Sequence, residues 1–240
     1  MEYLTRKSQV KEQLDLCLAS YFDLGISHCV QQLHIGILKK KIKFPLLEYC
    51  GEAIFNEIDS KEHIPFCTAI EALKTIGGNV IIGIILQKRL QSNFDESMLK
   101  AAEYISMADA WYICDIIGER VFGYALRTSW HDAFPLVKEL SDHPSNWVVR
   151  SLGAGFHNAI KKGLDEPYVE ELFRILLSKA NAKDKEIKQG IGWAAKTTAK
   201  FHPEIIAKFK TEIDNTEKVG NWFRTKVRIG LERHRYAQRN

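Results

Sequence analysis

The sequence predicts an all-α fold: a curved α-solenoid of HEAT-like helical repeats forming a single domain over residues 1–240. Three observations carry this expectation. Apolar residues recur at helical rather than alternating spacing. Cap and breaker residues punctuate the chain at short intervals. Helix starts fall near residues 5, 26, 45, 60, 79, 95, 110, 132, 145, 166, 185, 203 and 219. That is about 18 residues per helix and about 36 per pair, the scale of TPR, HEAT and armadillo arrays. The period is a little short for HEAT, and no TPR consensus is present. An array of this kind offers a concave face, which serves protein partners as readily as DNA.

The elements follow from local chemistry, in chain order. Asp59-Ser-Lys-Glu62 is a capping-box arrangement leading into Ile64, Ala69, Ile70, Leu73 and Ile76, with Gly77-Gly78 as the expected stop. Asn79 is the expected start of the next helix. Its β-branched run Val80–Leu86 continues into Gln87-Lys-Arg-Leu90 and so reads as helix rather than strand. Asp95 opens the one after. Pro144-Ser145 precedes a helix from Trp147 through Ile160, ended by Gly163. Asp165-Glu-Pro167 places proline in a first turn, where its missing N–H costs nothing. His202-Pro203 ends one helix and starts another. No stretch reads as a convincing strand.

Composition narrows the functional classes. With 45% apolar and 27% charged residues, the chain is neither disordered nor fibrous. Five cysteines, at 17, 29, 50, 67 and 114, form no C-x-x-C pair, so neither a disulfide framework nor a zinc ribbon is expected. The charged N-terminus MEYLTRKSQVKEQL is no signal peptide, and the seven-residue apolar run at 80–86 is too short to span a bilayer. These features predict a soluble cytoplasmic protein, nucleoid-associated when bound to DNA. The formal charge of +4 is unevenly spread: from Lys183 onward there are fourteen Lys/Arg against seven Asp/Glu. A basic C-terminal quarter suits a polyanionic partner.

Four segments stand apart from an anonymous solenoid. In Ala110-Trp111-Tyr-Ile-Cys-Asp115, the tryptophan and carboxylate lie four apart, on one helix face. In Ser145-Asn-Trp147-Val-Val-Arg150, a cap and a tryptophan precede an arginine. The third segment, Ile187 to Pro203, carries Gly190, Gly192 and Trp193. The fourth is Phe22-Asp23-Leu24-Gly25-Ile26-Ser27. Glycines inside helices cost about 1 kcal/mol each relative to alanine. Close helix contact or close approach to DNA would each account for Gly190 and Gly192, and for Gly153 and Gly155.

The run I-G-W-A-A-K-x-x-A-K-x-x-P, the W-x-x-x-D turn and the N-W-x-x-R helix start together resemble the AlkD-type DNA alkylation repair proteins, HEAT-like-repeat alkylpurine DNA glycosylases. The resemblance runs from about Asp95 to Phe209. It divides the chain into divergent N-terminal helices (1–94), a family-like core (95–210) and a basic C-terminal helix (211–240). It implies hydrolysis of the N-glycosidic bond of cationic 3-methyladenine and 7-methylguanine in duplex DNA, without base flipping. It assigns Asp115 as the catalytic carboxylate, Trp111 and Trp193 as cleft tryptophans, and Arg150 as a cleft arginine that would pin a phosphate. Lys196, Lys200, Arg224, Lys226 and Arg228 are further candidate DNA contacts, with Lys208 and Lys210 beside them. No metal or cofactor is expected, and a monomer is. The alternative is a catalytically inactive protein of the same fold that binds distorted or branched DNA.

The plain readings stay open beside these. Trp111 and Trp193 would suit a packed core, and Asp115 could pair with Arg120 or Lys100. His63 and Cys67 lie four apart without a third ligand and read as structural. Trp130-His131-Asp132 reads as a loop and cap.

Overall fold

The computed structural model describes residues 3–234, almost all of whose regular structure is helical. Internal packing divides the chain into two compact units, Met1–Ser97 and Met98–Asn240. No helix among the described residues is long and apolar enough to cross a membrane.

The first unit contains α1 (Lys7–Leu24), α2 (Ile26–Leu33), α3 (Phe44–Glu57), α4 (His63–Glu71) and α5 (Ile76–Arg89). Gly25, at φ 80°, makes the turn between α1 and α2, and a π-helical turn, His34–Leu38, extends α2. α5 packs against α3 and α4, and Val80 through Leu86 are all buried. A helix apolar on every side is one surrounded by protein. It starts earlier than its sequence suggests. The Thr75 hydroxyl accepts from the Gly78 N–H at 3.1 Å, satisfying one of the unpaired donors of a first turn. Gly77 and Gly78 therefore open α5 instead of closing α4, and Asn79 lies inside it.

Two further expectations are corrected here. Asp59 does cap, accepting from the Lys61 N–H at 3.0 Å, but it caps a single 3₁₀ turn, Ser60–Glu62. Glu62 accepts instead from the Tyr21 hydroxyl. A short strand pair also exists: β1 (Tyr3–Leu4) and β2 (Lys41–Ile42) run parallel, Tyr3 opposite Lys41 and Leu4 opposite Ile42. Two residues leave no alternation to detect.

His63 and Cys67 are buried as packing groups. His63 Nε2 donates to the Phe55 carbonyl at 3.0 Å, leaving Nδ1 to face Arg89 at 3.4 Å. Arg89 also donates to the Ser60 carbonyl and pairs with Glu96. No cluster of three or more potential metal ligands occurs among the described residues.

The second unit begins within α6 (Phe94–Ser106) and continues through α7 (Trp111–Arg120), α8 (Phe122–Thr128), α9 (Trp130–Leu140), α10 (Asn146–Lys161), α11 (Glu166–Ser178), α12 (Lys185–Phe201), α13 (Pro203–Lys208), α14 (Lys210–Asp214) and α15 (Asn221–Glu232). α7, α10, α12 and α15 pack one on the next in that order, and the intervening helices lie against them. The four run parallel, as their contacts show: Asp115 meets Arg150, Arg150 meets Glu186, His157 meets Thr197, and Gly192 lies against Trp222 and Lys226. These helix boundaries fall where the sequence places them. Asp165 precedes α11, Gly163 at φ 88° follows α10, and His202-Pro203 separates α12 from α13. Trp130 lies inside a helix, not a loop, opening α9 and stacking on Phe134 and on Tyr168 of α11 at 4.7 and 4.3 Å.

The helix-interior glycines resolve in favour of packing. A side-chain carbon on Gly153 would fall 2.1 Å from the Gly190 backbone, and one on Gly190 would fall 2.2 Å from the Arg150 carbonyl oxygen. α10 and α12 therefore meet backbone to backbone, and this close approach sets the site described next.

Candidate active site

One guanidinium organises the site. Arg150, on the second turn of α10, is only 5% exposed. Its Nε and Nη2 donate to the two carboxylate oxygens of Asp115 at 3.1 and 3.0 Å, a bidentate fork. Its Nη1 donates to Glu186 on the first turn of α12 at 2.8 Å. The Arg150 guanidinium carbon also lies 5.8 Å from the centre of the Trp111 ring. Trp111 and Asp115 thus share a face, as their four-residue spacing predicts, and Arg150 contacts both. The partner of Asp115 is Arg150, not Arg120 or Lys100.

This changes the place of Arg150. Expected at a phosphate, it is committed to two carboxylates and holds the orientation of Asp115. Removing it would leave two half-buried carboxylates uncompensated, at a cost of about 3–5 kcal/mol for breaking such a pair. With Asp115, Glu186 and Arg150 all ionised, the cluster carries one net negative charge.

Burial raises the pKa of Asp115 above the usual carboxylate value, while the Arg150 hydrogen bonds and charge pull the other way. For Arg150, burial acts against the cation, but the hydrogen bonds and charge of Asp115 outweigh it and hold the proton more tightly than usual. The Asp115 side chain keeps 14% of its surface exposed, enough for a carboxylate edge to meet a ligand.

The tryptophans differ in setting. Trp111, at the start of α7, is 57% exposed, with an edge-on contact to Tyr112. A large indole so exposed is not a core residue. Trp193 is half-buried and stacks on His157 of α10 at 4.1 Å. His157 Nδ1 lies 2.7 Å from the Thr197 hydroxyl, which in turn donates to the Trp193 carbonyl at 3.0 Å. That chain fixes His157 as the Nδ1–H tautomer and holds the Trp193 ring between two helices. Burial, followed by the charges of Lys161 and Lys196, lowers the pKa of His157 from the usual 6.5 to about 4, so the stack is uncharged at neutral pH.

Beside Trp193 an open cleft of about 510 Å³ runs between α12 and α15, lined by Arg150, Lys185, Lys188, Gln189, Trp193, Lys196, Trp222 and Lys226. Of the basic residues expected at DNA, this brings together Lys196 and Lys226 with Arg150. It does not bring in the others. Lys200 lies over the Phe201 ring at 4.8 Å. Arg224 and Arg228 line a separate groove with Lys210 and Asp214, and Arg228 is paired to Glu232 at 2.7 Å. Lys208 and Lys210 pair with Glu170 and Asp214.

Sequence reasoning missed Glu186, His157, Thr197, Lys185, Lys188 and Trp222. Lys185, Lys188 and Lys196 share helical register with Trp193, which spacing alone could have revealed. The partners of Arg150 lie 35 and 36 residues away, one repeat in either direction, and no local pattern announces them.

Comparison with known proteins agrees with this architecture. The chain superposes on the crystal structure of AlkD2 from Streptococcus mutans with a TM-score of 0.71 at 10% identity, covering 86% of this chain and 98% of that one. At that identity the likeness is one of fold. No curated protein matches the sequence. The family model described as DNA alkylation repair enzyme matches residues 79–224, which include Trp111, Asp115, Arg150, Glu186, Trp193 and Trp222. That match covers more than half of the sequence, and the chain belongs to the DNA alkylation repair enzyme family.

Proposed function

We propose that this DNA repair enzyme is a monofunctional glycosylase that hydrolyses the N-glycosidic bond of cationic alkylated purines, 3-methyladenine and 7-methylguanine, in duplex DNA without flipping the base. The observation that carries the reading is the carboxylate of Asp115, oriented through both oxygens by a buried arginine and flanked by the exposed indole of Trp111.

The chemistry needs little else. An N-alkylated purine already bears positive charge, so it departs without a general acid. As the bond to C1′ lengthens, the deoxyribose gains oxocarbenium character. A preorganised carboxylate stabilises that charge and orients the attacking water. Glu186 supplies the second negative charge on the far side of Arg150, so the guanidinium fixes Asp115 without leaving the cluster neutral. The faces of Trp111 and Trp193 offer further attraction to a cationic sugar or base, about 0.5–2 kcal/mol each.

Base release from methylated duplex DNA, followed by chromatography, tests the reading. Wild type releases 3-methyladenine or 7-methylguanine. Asp115→Asn keeps the shape but loses the charge, and it lowers the single-turnover rate by about 10²–10³-fold while leaving DNA affinity near wild type. Full activity in Asp115→Asn would sink the mechanism. Absence of release by wild type, with DNA binding intact, would favour recognition of distorted or branched DNA without chemistry.

A further inference from the structure

The cleft between α12 and α15 has a composition that contact with a rigid duplex does not require. Four lysines, Lys185, Lys188, Lys196 and Lys226, line it together with two indoles, and no carboxylate does. Elsewhere lysines are commonly paired: Lys11 with Asp15, Lys88 with Glu52, Lys100 with Glu103, Lys179 with Asp142 and Lys208 with Glu170. None of the four cleft lysines takes part in an ion pair among the described residues, so their potential is uncompensated and invites an anion. Burial lowers the pKa of Lys196, and the like charges of Lys226 and Arg233 lower it further, strain that a bound phosphate would relieve.

The aromatic wall is built as deliberately as the charge. Gly192 on α12 leaves room for the Lys226 stem and the Trp222 ring, which a side-chain carbon there would meet at 3.0 and 3.4 Å. Trp222 is braced edge-on by Phe223 at 5.6 Å. At about 510 Å³ the cleft is large enough for a nucleotide-sized ligand. Lysines that track a backbone, combined with indoles that take a base face, are the makeup of a single-strand site.

We propose that this cleft binds one unpaired nucleotide of a DNA strand, its phosphates among Lys185, Lys188, Lys196 and Lys226 and its base stacked on Trp222. The proposal rests on DNA being the partner and is independent of whether bases are excised.

The test measures affinity, by fluorescence anisotropy, for two DNAs: a fully paired duplex and the same duplex carrying one extra unpaired nucleotide. A 2-aminopurine at the unpaired position reports stacking by loss of its emission. Wild type binds the second DNA about tenfold tighter, in the range expected for one base–aromatic stack, and quenches the 2-aminopurine. Trp222→Phe retains most of the preference and the quenching; Trp222→Ala loses both. The double variant Lys185→Gln/Lys188→Gln, at an exposed and a half-buried position, weakens binding of the unpaired form and lowers its log–log salt slope by about 1.5. Equal affinity of wild type for the two DNAs overturns the proposal but leaves the DNA-repair reading intact. So does an unchanged preference and salt slope in both the Trp222→Ala and double-lysine variants. Failure of wild type to bind any DNA would overturn both.

Discussion

His157 carries a pH dependence that its sequence position does not advertise. It is held neutral against Trp193, with a pKa near 4 in the folded chain against 6.5 when unfolded. Between those values the unfolded chain binds more protons than the folded one, so stability rises with pH across the window. The contribution is fully present above pH 6.5 and is lost as pH falls toward 4. His157→Phe keeps a ring on Trp193 but removes both the titration and the hydrogen bond to Thr197. Its urea-unfolding free energy should be about 1 kcal/mol lower than wild type at pH 7, and flatter than wild type between pH 6.5 and 4. A wild-type slope that persists in His157→Phe would assign the acid sensitivity to another group. Asp115 could be read from the sequence because a carboxylate four residues from a tryptophan is a local fact. The role of Arg150 could not, because nothing in N-W-x-x-R distinguishes an arginine facing a phosphate from one spanning two helices.

At the scale of elements, the pairing of α10 and α12 is the decisive contact. Gly153 and Gly190 permit backbone approach that no other residue allows, and the approach places Arg150 within reach of Glu186. Gly190→Ala forces the helices apart. We expect a loss of about 3 kcal/mol or more, measured by thermal or urea unfolding, against the gain of up to about 1 kcal/mol that alanine brings in an unconstrained helix. The sequence marked these glycines without deciding between packing and DNA. Most helix starts were legible because caps and prolines act locally: Asp165, His202-Pro203 and Ser145 lie where the elements begin. The breaks at Val121 and Phe209 were not: Val121 follows Glu119-Arg120 and Phe209 lies between Lys208 and Lys210, with no cap residue or proline at either break. The start of α5 was misread because Gly77-Gly78 looks like a stop until Thr75 is seen to cap the turn.

Across the whole molecule, the cysteines share one environment. All five are free and buried, and burial pushes each thiol up to about 12. Even Cys114, adjacent to Asp115, has no accessible thiolate. The native protein should therefore resist a disulfide-exchange reagent such as DTNB at pH 8, while denatured protein titrates five thiols. Rapid reaction of one thiol in the native state would reveal local opening around it. The all-α class was legible from periodicity at this scale. The boundary between the two packing units falls within α6, an uninterrupted helix, close to the 94/95 limit drawn from the resemblance and with no linker to mark it.

The fork at Arg150 also has a mechanical meaning. One side chain fastens α7, α10 and α12, consecutive members of a stacked row, through contacts near 3 Å. A load that slides α7 past α10 stretches the contacts to Asp115, and one that slides α12 past α10 stretches the contact to Glu186. The aim of the Asp115 carboxylate is therefore tied to the registry of three helices, not to the one it sits on.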